Sequence, residues 1–265
     1  MCVNYITVSR QICFDWFRTP IEEDQDWREN DIYKDRKAPF IIHDDQGQRK
    51  ALVGSYGFVP QRHRPLKKLT KEEQEKFDRA VQRAMEMGKP LPKPKRIRMD
   101  TMNARAEEVG SKLNYKRFWL AQQLCIVPAL NVFEPNWETG AHERWAIELG
   151  SKEPIGLPGM WRTWQEEDGS ITNAFTHFTL NADHHPLLRR FHRPGEEKRG
   201  VAILRREHYD DWLGSKNPEF ARALIELLPA EELSSFAAPK EESSHEEVDD
   251  SGDTESPVFK QVSLF

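Results

Sequence analysis

Apolar residues along this chain come in short runs, broken every few positions by Gly, Pro, Asp or charged pairs. Pro39–His43, Gly54–Val59, Leu124–Val127, Arg144–Leu149, Phe175–Asn181 and Val201–Leu204 are rich in β-branched and aromatic residues and mostly bounded by turn formers, which predicts strands. A helical period is clearest from Thr70 to Met87. Phe77, Val81 and Ala84 share one face there, Thr70 and Glu73 form a capping box, and Gly88 follows as a stop. Helices are also predicted over Val8–Phe17, Ala104–Leu113 and Asn217–Leu228. Strands interspersed irregularly with a few helices, and no internal repeat, give an α+β class with a curved, largely antiparallel sheet rather than βαβ units.

Charge divides the chain further. The total is −5, yet ten acidic residues and two lysines between Glu231 and Phe265 give the end of the chain −8, so residues 1–230 carry about +3. Residues 1–230 are expected to fold. Residues 231–260, poor in large apolar side chains and rich in Glu, Asp and Ser, are expected to form a disordered acidic linker. Residues 61–100 hold thirteen Lys/Arg against six Asp/Glu and read as a basic insertion standing off the body. That balance suits a polyanion partner and equally suits a solvated helix with a proline-lysine loop.

No apolar run approaches the roughly 20 residues that a membrane helix needs, so no membrane association is expected. The cysteines are Cys2, Cys13 and Cys125, without CxxC or Cys/His ligand spacing. Neither a disulfide framework, a metal nor another cofactor is expected, and an odd cysteine count without a signal peptide fits a reducing, cytoplasmic setting. His184 and His185 are adjacent and have no evident third ligand. Cys2 follows the initiator methionine. Removal of Met1 would leave an amine and a thiol on neighbouring carbons, a pair that condenses with an aldehyde first to a Schiff base and then to a thiazolidine.

Several separated motifs then occur in order: Met1-Cys2; Tyr56-Gly57-Phe58-Val59-Pro60; Asn103-Ala104-Arg105-Ala106-Glu107; Cys125-Ile126-Val127-Pro128-Ala129 with Glu134 downstream; and the surroundings of His192. Together they resemble the SOS-response-associated peptidase (SRAP) family, whose members shield abasic sites in DNA, over roughly residues 1–215. The resemblance implies a mixed body with a barrel-like β core, peripheral helices and a basic groove. It also implies a covalent crosslink between mature Cys2 and the ring-opened aldehyde of an abasic site in single-stranded DNA. Within it, Asn103 positions the terminal amine, Glu134 shuttles protons and His192 protonates the sugar oxygen. Arg105 clamps a phosphate, Tyr56 stacks or wedges against a base in place of a common tryptophan, and Thr179 belongs to the same pocket. Without the resemblance, Asn103 reads as a helix cap, Glu134 as a loop acid before Pro135, and Arg105 as a surface charge.

The chain departs from the family pattern. Val3-Asn4 follow Cys2 where the family commonly has Gly-Arg, and the arginine two places after the family histidine is absent, leaving Arg193 or Arg199 as substitutes. The final residues, Gln261-Val262-Ser263-Leu264-Phe265, resemble the bacterial sliding-clamp-binding motif. Leu264 and Phe265 would fill an apolar pocket while Gln261 bonds at its rim. The expected protein is a monomeric abasic-site sensor at the replication fork, with single-stranded DNA and the clamp as partners. A cysteine peptidase using Cys2 and His192 is the first alternative, and a non-covalent single-stranded DNA-binding module the second.

Overall fold

The computed structural model describes residues 4–23, 25–27 and 30–240. Five strands close a ring. β3 (Lys37–His43) pairs antiparallel with β4 (Arg49–Tyr56), β4 pairs parallel with β9 (Ile171–Asn181), β9 pairs antiparallel with β8 (Ile155–Gln165), and β8 with β6 (Leu124–Asn136). Ile41 opposite Ile126 joins β6 back to β3 and completes a mixed, mostly antiparallel barrel. Extra strands extend it. β1 (Asn4–Thr7) lies on the far half of β6 and holds the short β2 (Asp31–Ile32), while β7 (Glu143–Leu149) takes the other edge of that half and pairs with β11 (Leu233–Ala237). β5 (Asn103–Arg105) runs parallel to the end of β9, and β10 (Arg199–Val201) runs antiparallel to it.

Alternation along each barrel strand feeds two apolar cores. Ile41, Leu124, Ile126 and Phe178 join the core that receives Cys13 and Phe17 of α1 (Arg10–Phe17), Phe118 and Trp119 of α3 (Lys116–Leu120) and Trp212 of α4 (Tyr209–Gly214). Phe40, Ile42, Cys125, Val127 and Phe175 join the other, with Tyr5, Tyr56 and Phe191. Strands buried on both faces read as continuous apolar runs, which is why β3 and the start of β6 are visible in the sequence. The Trp212 indole N–H donates to the Cys125 carbonyl at 2.8 Å and ties α4 to β6. A Cβ at Gly159 would stand 2.3 Å from the Thr176 carbonyl oxygen, so the close approach of β8 to β9 requires glycine there.

The helix at residues 70–87 forms as expected. α2 (Lys71–Glu86) carries the full Thr70/Glu73 capping box and buries none of its side chains. α1 starts at Arg10, because the Ser9 hydroxyl accepts the Ile12 N–H. The helix expected over 104–113 does not form. Its first residues are β5, recruited by the free edge of β9, and the Ala106 N–H continues that ladder to the Thr179 carbonyl. Asn103 is therefore a strand residue and not a helix cap. α5 spans only Pro218–Ala223, short of the expected 217–228. β4 ends at Tyr56 because Gly57 adopts φ +121°, a conformation that an L side chain rarely takes.

The expected boundary at residue 230 is also corrected. Leu233–Ala237 pairs along β7, with Phe236 opposite Ala146, so the acidic segment begins inside the fold rather than as a linker. A few apolar residues suffice for an edge strand when β7 offers an open edge. Residues 241–260 lie outside the described residues. Among the described residues, no helix is long and apolar enough to cross a membrane.

Candidate active site

Glu134 and His192 form the centre of the site. Glu134 lies on the far half of β6, opposite Trp145 of β7, and is 2 % exposed. Residues 188–192 are fastened to the same stretch. Phe191 bridges Asn136, Arg190 makes a paired contact with Glu138 (3.0 and 2.8 Å), and the His192 N–H donates to the Pro135 carbonyl at 2.8 Å. These ties hold His192 at φ +65°, a left-handed backbone that costs a non-glycine residue about 1–2 kcal/mol. Its Nε2 sits 2.9 Å from the Arg199 carbonyl oxygen and 3.4 Å from Glu134 Oε2. A carbonyl can only accept, so Nε2 carries the ring proton in the neutral imidazole.

Burial crosses the usual order of the two acidities. It pushes the Glu134 carboxyl up to about 7. It pulls the His192 imidazolium down to about 4, an effect that the cationic Lys198 and Arg199 reinforce and the Arg199 carbonyl opposes. Between these values the proton rests on the carboxyl and the imidazole is neutral. A carboxylic acid poised near neutrality beside a neutral imidazole can donate and accept protons without a large charge change.

A cavity of about 620 Å³ opens onto Glu134 and is lined also by Asn4, Tyr33, Phe133, His142 and Arg144, with Ala237 and Lys240 from the end of the described chain. The Arg144 guanidinium stacks on Phe133, donates to Asp31 at 2.8 Å and to the Ala238 carbonyl at 3.1 Å. Asp31 also accepts from Asn4. The sequence reading did not single out Asn4, Tyr33, His142 or Arg144. They come from segments far apart in the chain, and nothing local marked them except that His142 and Arg144 flank Glu143 at the start of β7.

The other expected site residues divide. Asn103 is 7 % exposed on β5, opposite His177 in register, and its carbonyl accepts from the Tyr115 hydroxyl at 3.4 Å. Tyr56 is fully buried, its hydroxyl 2.8 Å from His177 Nε2 and its ring packed on Phe175 and His177. This arrangement leaves it no face for a base, contrary to the expected stacking role. Thr179 is fully buried, and its carbonyl accepts from Arg199 at 2.7 Å. Arg199 is 3 % exposed and braces Glu107 (3.0 and 2.9 Å) and Glu197 (3.0 Å). An internal brace of this kind does not face a phosphate. Arg193 is exposed, with its guanidinium 4.6 Å from the Trp137 ring centre. Of the two candidate substitutes, Arg193 is therefore the one that reaches the surface. Arg105 is also exposed and pairs with Glu197 at 2.9 Å.

Cys2, Gln261, Leu264 and Phe265 lie outside the described residues. The other two thiols are unreactive. Cys13 is buried and pushed up to about 12, and burial raises Cys125 as well. Among the described residues, no group of three His, Cys, Asp or Glu side chains could hold a metal ion. His185 is occupied structurally: Nε2 donates to the Leu228 carbonyl and Nδ1 accepts from the Leu187 and Leu188 N–H groups.

A family model described as SOS response associated peptidase (SRAP) matches residues 1–241. Among solved structures, a protein from Bordetella bronchiseptica is 25 % identical with a TM-score of 0.71, over 90 % of this chain and all of that one. A Bacteroides thetaiotaomicron protein is 16 % identical with a TM-score of 0.60, over 89 % of this chain and 91 % of that one. A phage-related protein from Bordetella bronchiseptica is 13 % identical with a TM-score of 0.56, over 91 % and 95 %. The last two likenesses concern the fold alone. No curated protein matches the chain.

Proposed function

The chain belongs to the SOS response associated peptidase family, and from that premise we propose that it captures abasic sites in single-stranded DNA through Cys2. The terminal amine adds to the ring-opened aldehyde to give a carbinolamine. Loss of one water gives the Schiff base, and addition of the thiol across C=N closes the thiazolidine. One water leaves overall, and nothing is oxidised or reduced.

The observation that carries this reading is the buried Glu134–His192 pair, with the carboxyl near 7 and the imidazole neutral. Dehydration needs a proton delivered to the departing hydroxyl, and Glu134 holds one at neutral pH. His192 assists ring opening at the sugar oxygen, and Asn103 positions the amine. Asn4 stands opposite Phe133, next to Glu134. Cys2 is two residues before Asn4 in the sequence. Arg105 and Arg193 are the exposed cations for flanking phosphates. The burial of Cys13 and Cys125 leaves Cys2 as the thiol for this chemistry. We further propose that Gln261, Leu264 and Phe265 dock on the bacterial sliding clamp and place the protein at the replication fork.

The test is a denaturing gel of the full chain, with Met1 removal verified by mass spectrometry, on single-stranded DNA carrying one abasic site. A heat-stable shifted band that disappears in Cys2→Ala is expected. No band from the processed parent chain overturns the reading. The family description favours a second reading, a cysteine peptidase in which His192 serves the Cys2 thiol as base. Cys2-dependent cleavage of peptides without any DNA adduct would select it.

A further inference from the structure

The barrel and its rim leave the basic segment between β4 and β5 without a role. Its two legs, residues 65–69 and 93–98, run antiparallel as a ribbon. Leu66 faces Arg96, the Lys67 N–H donates to the Lys95 carbonyl at 2.8 Å, and the Ile97 N–H donates to the Pro65 carbonyl at 2.9 Å. These eleven residues include six Lys/Arg and no Asp/Glu. The pleat sends Lys68, Arg96 and Arg98 to one face and Lys67, Lys93 and Lys95 to the other, and all six are exposed. Lys67 lies directly across from Lys95, a like-charge pairing that weakens a ribbon on its own; Glu73 offsets part of it through a 2.8 Å contact to Lys67. Leu66 and Ile97 stand exposed among these cations.

Such a ribbon is a poor way to stabilise the fold. The helix that joins its legs, α2, buries none of its side chains. Its base, however, is fixed. Arg64 is buried and pairs with Asp35 at 2.7 Å, and the second leg runs into the buried Thr101–Asn103 stretch. Six exposed cations on a tethered arm call for an anionic partner, and their distribution selects its shape. A single strand offers one row of phosphates and can satisfy one face. A duplex groove offers two rows, one on each wall, and the major groove, about 12 Å wide, admits a two-stranded ribbon.

We propose that this ribbon is a second DNA-binding element, distinct from the Glu134 site, that lies in a groove of intact double helix and grips phosphates on both walls. The proposal concerns undamaged DNA and does not depend on the covalent chemistry above.

The test is fluorescence anisotropy of the full chain on a labelled intact duplex and on one of its single strands, across a salt series. Each neutralised duplex phosphate adds about 0.9 to the steepness of log affinity against log salt. The variant Lys68→Gln/Lys93→Gln/Lys95→Gln is expected to lower that steepness on duplex by about 2–3 and to change single-strand binding less. The variant Lys37→Gln/Lys50→Gln/Lys216→Gln removes the same charge from exposed sites outside the ribbon and is expected to leave the duplex slope near that of the parent. Unchanged circular-dichroism melting certifies both as folded. The proposal is overturned if the two triple variants lose equal slope, if single-strand binding falls as much as duplex binding, or if the parent chain does not bind intact duplex.

Discussion

Two regions of the molecule hold the same pair of side chains and treat it in opposite ways. At the base of the insertion, Glu166 meets His63 at 3.1 Å; at the far end of β6, Glu134 meets His192 at 3.4 Å. Glu166 also receives Arg62 at 2.7–2.9 Å and the Thr172 hydroxyl, and these bonds pull its carboxyl down to about 2. Glu134 has burial as its dominant influence and rises to about 7. The glutamate–histidine contact is therefore no sign of chemistry by itself. An arginine and a hydroxyl bonded to a partly exposed carboxylate make an ionised brace; a dry site without an arginine makes a proton donor at neutral pH.

The sharpest way to break this contrast is to remove the titrating proton from each carboxyl in turn. General acid–base catalysis contributes about 10²–10⁴ in rate. Glu134→Gln, which keeps the shape and loses the acid, is thus expected to slow single-turnover adduct formation at pH 7 by at least about 100-fold. Glu166→Gln is expected to leave the rate unchanged. Equal rates for the two variants would remove Glu134 from the chemistry.

The same contrast predicts an unusual dependence of stability on pH. Glu134 has a folded value near 7 and an ordinary unfolded value of about 4.3, so the folded state holds the extra proton between them. Stability then falls as pH rises through that window, and the full penalty, about 3–4 kcal/mol, is present above it. His192 acts oppositely. Its folded value is about 4 against about 6.5 unfolded, so the unfolded state holds the proton, and stability rises with pH from about 4 to 6.5. The two terms oppose each other where the windows overlap. Glu134→Gln is expected to unmask the histidine term and to raise stability at pH 8 by up to about 3 kcal/mol, with the gain gone near pH 4. Denaturant melts of parent and variant from pH 4 to 8 would show it; parallel curves would mean that burial does not raise the Glu134 carboxyl.

Tyr56 separates site from core in a third way. Its hydroxyl is 2.8 Å from His177 Nε2, and burial holds His177 near 4, hence neutral. Removing the hydroxyl leaves a buried ring nitrogen without that partner, which costs about 1–3 kcal/mol. Tyr56→Phe is expected to lose that much in a denaturant melt and to bind single-stranded DNA as the parent does. A loss of DNA affinity without a loss of stability would instead mean that the Tyr56 hydroxyl serves DNA binding rather than the core.

Much of the barrel was legible because burial on both faces writes continuous apolar runs, as in Phe40-Ile41-Ile42 and Cys125-Ile126-Val127. β8 was missed because Gly156, Pro158 and Gly159 read as turn punctuation, while in the fold Gly159 admits the Thr176 carbonyl. β5 and β11 were missed because neighbours make them strands: β9 and β7 supply the edges, and local propensity is overruled. Within the site, Glu134 and His192 were reached through motif resemblance, and the fold brings them together. The sequence could not place Tyr56, Thr179 and Arg199 inside the protein, because burial is a property of the closed barrel. It likewise gave no way to choose Arg193 over Arg199.

The smallest effect tests whether the insertion and the barrel are one cooperative unit. α1 and α2 are both capped by a hydroxyl, Ser9 accepting from Ile12 and Thr70 from Glu73. Loss of either cap costs about 1 kcal/mol of helix stability. α1 carries Cys13 and Phe17 into the core, so its helix cannot open without disturbing the barrel, and Ser9→Ala is expected to lower the global melt by that amount. α2 carries nothing into the core. Thr70→Ala is therefore expected to speed amide exchange within residues 71–86 by about fivefold, the equivalent of about 1 kcal/mol, without moving the global transition. An equal drop in the global melt for both variants would couple the insertion to the barrel. The basic ribbon would then be part of the body that holds Glu134 and His192, and the two regions would no longer be independent.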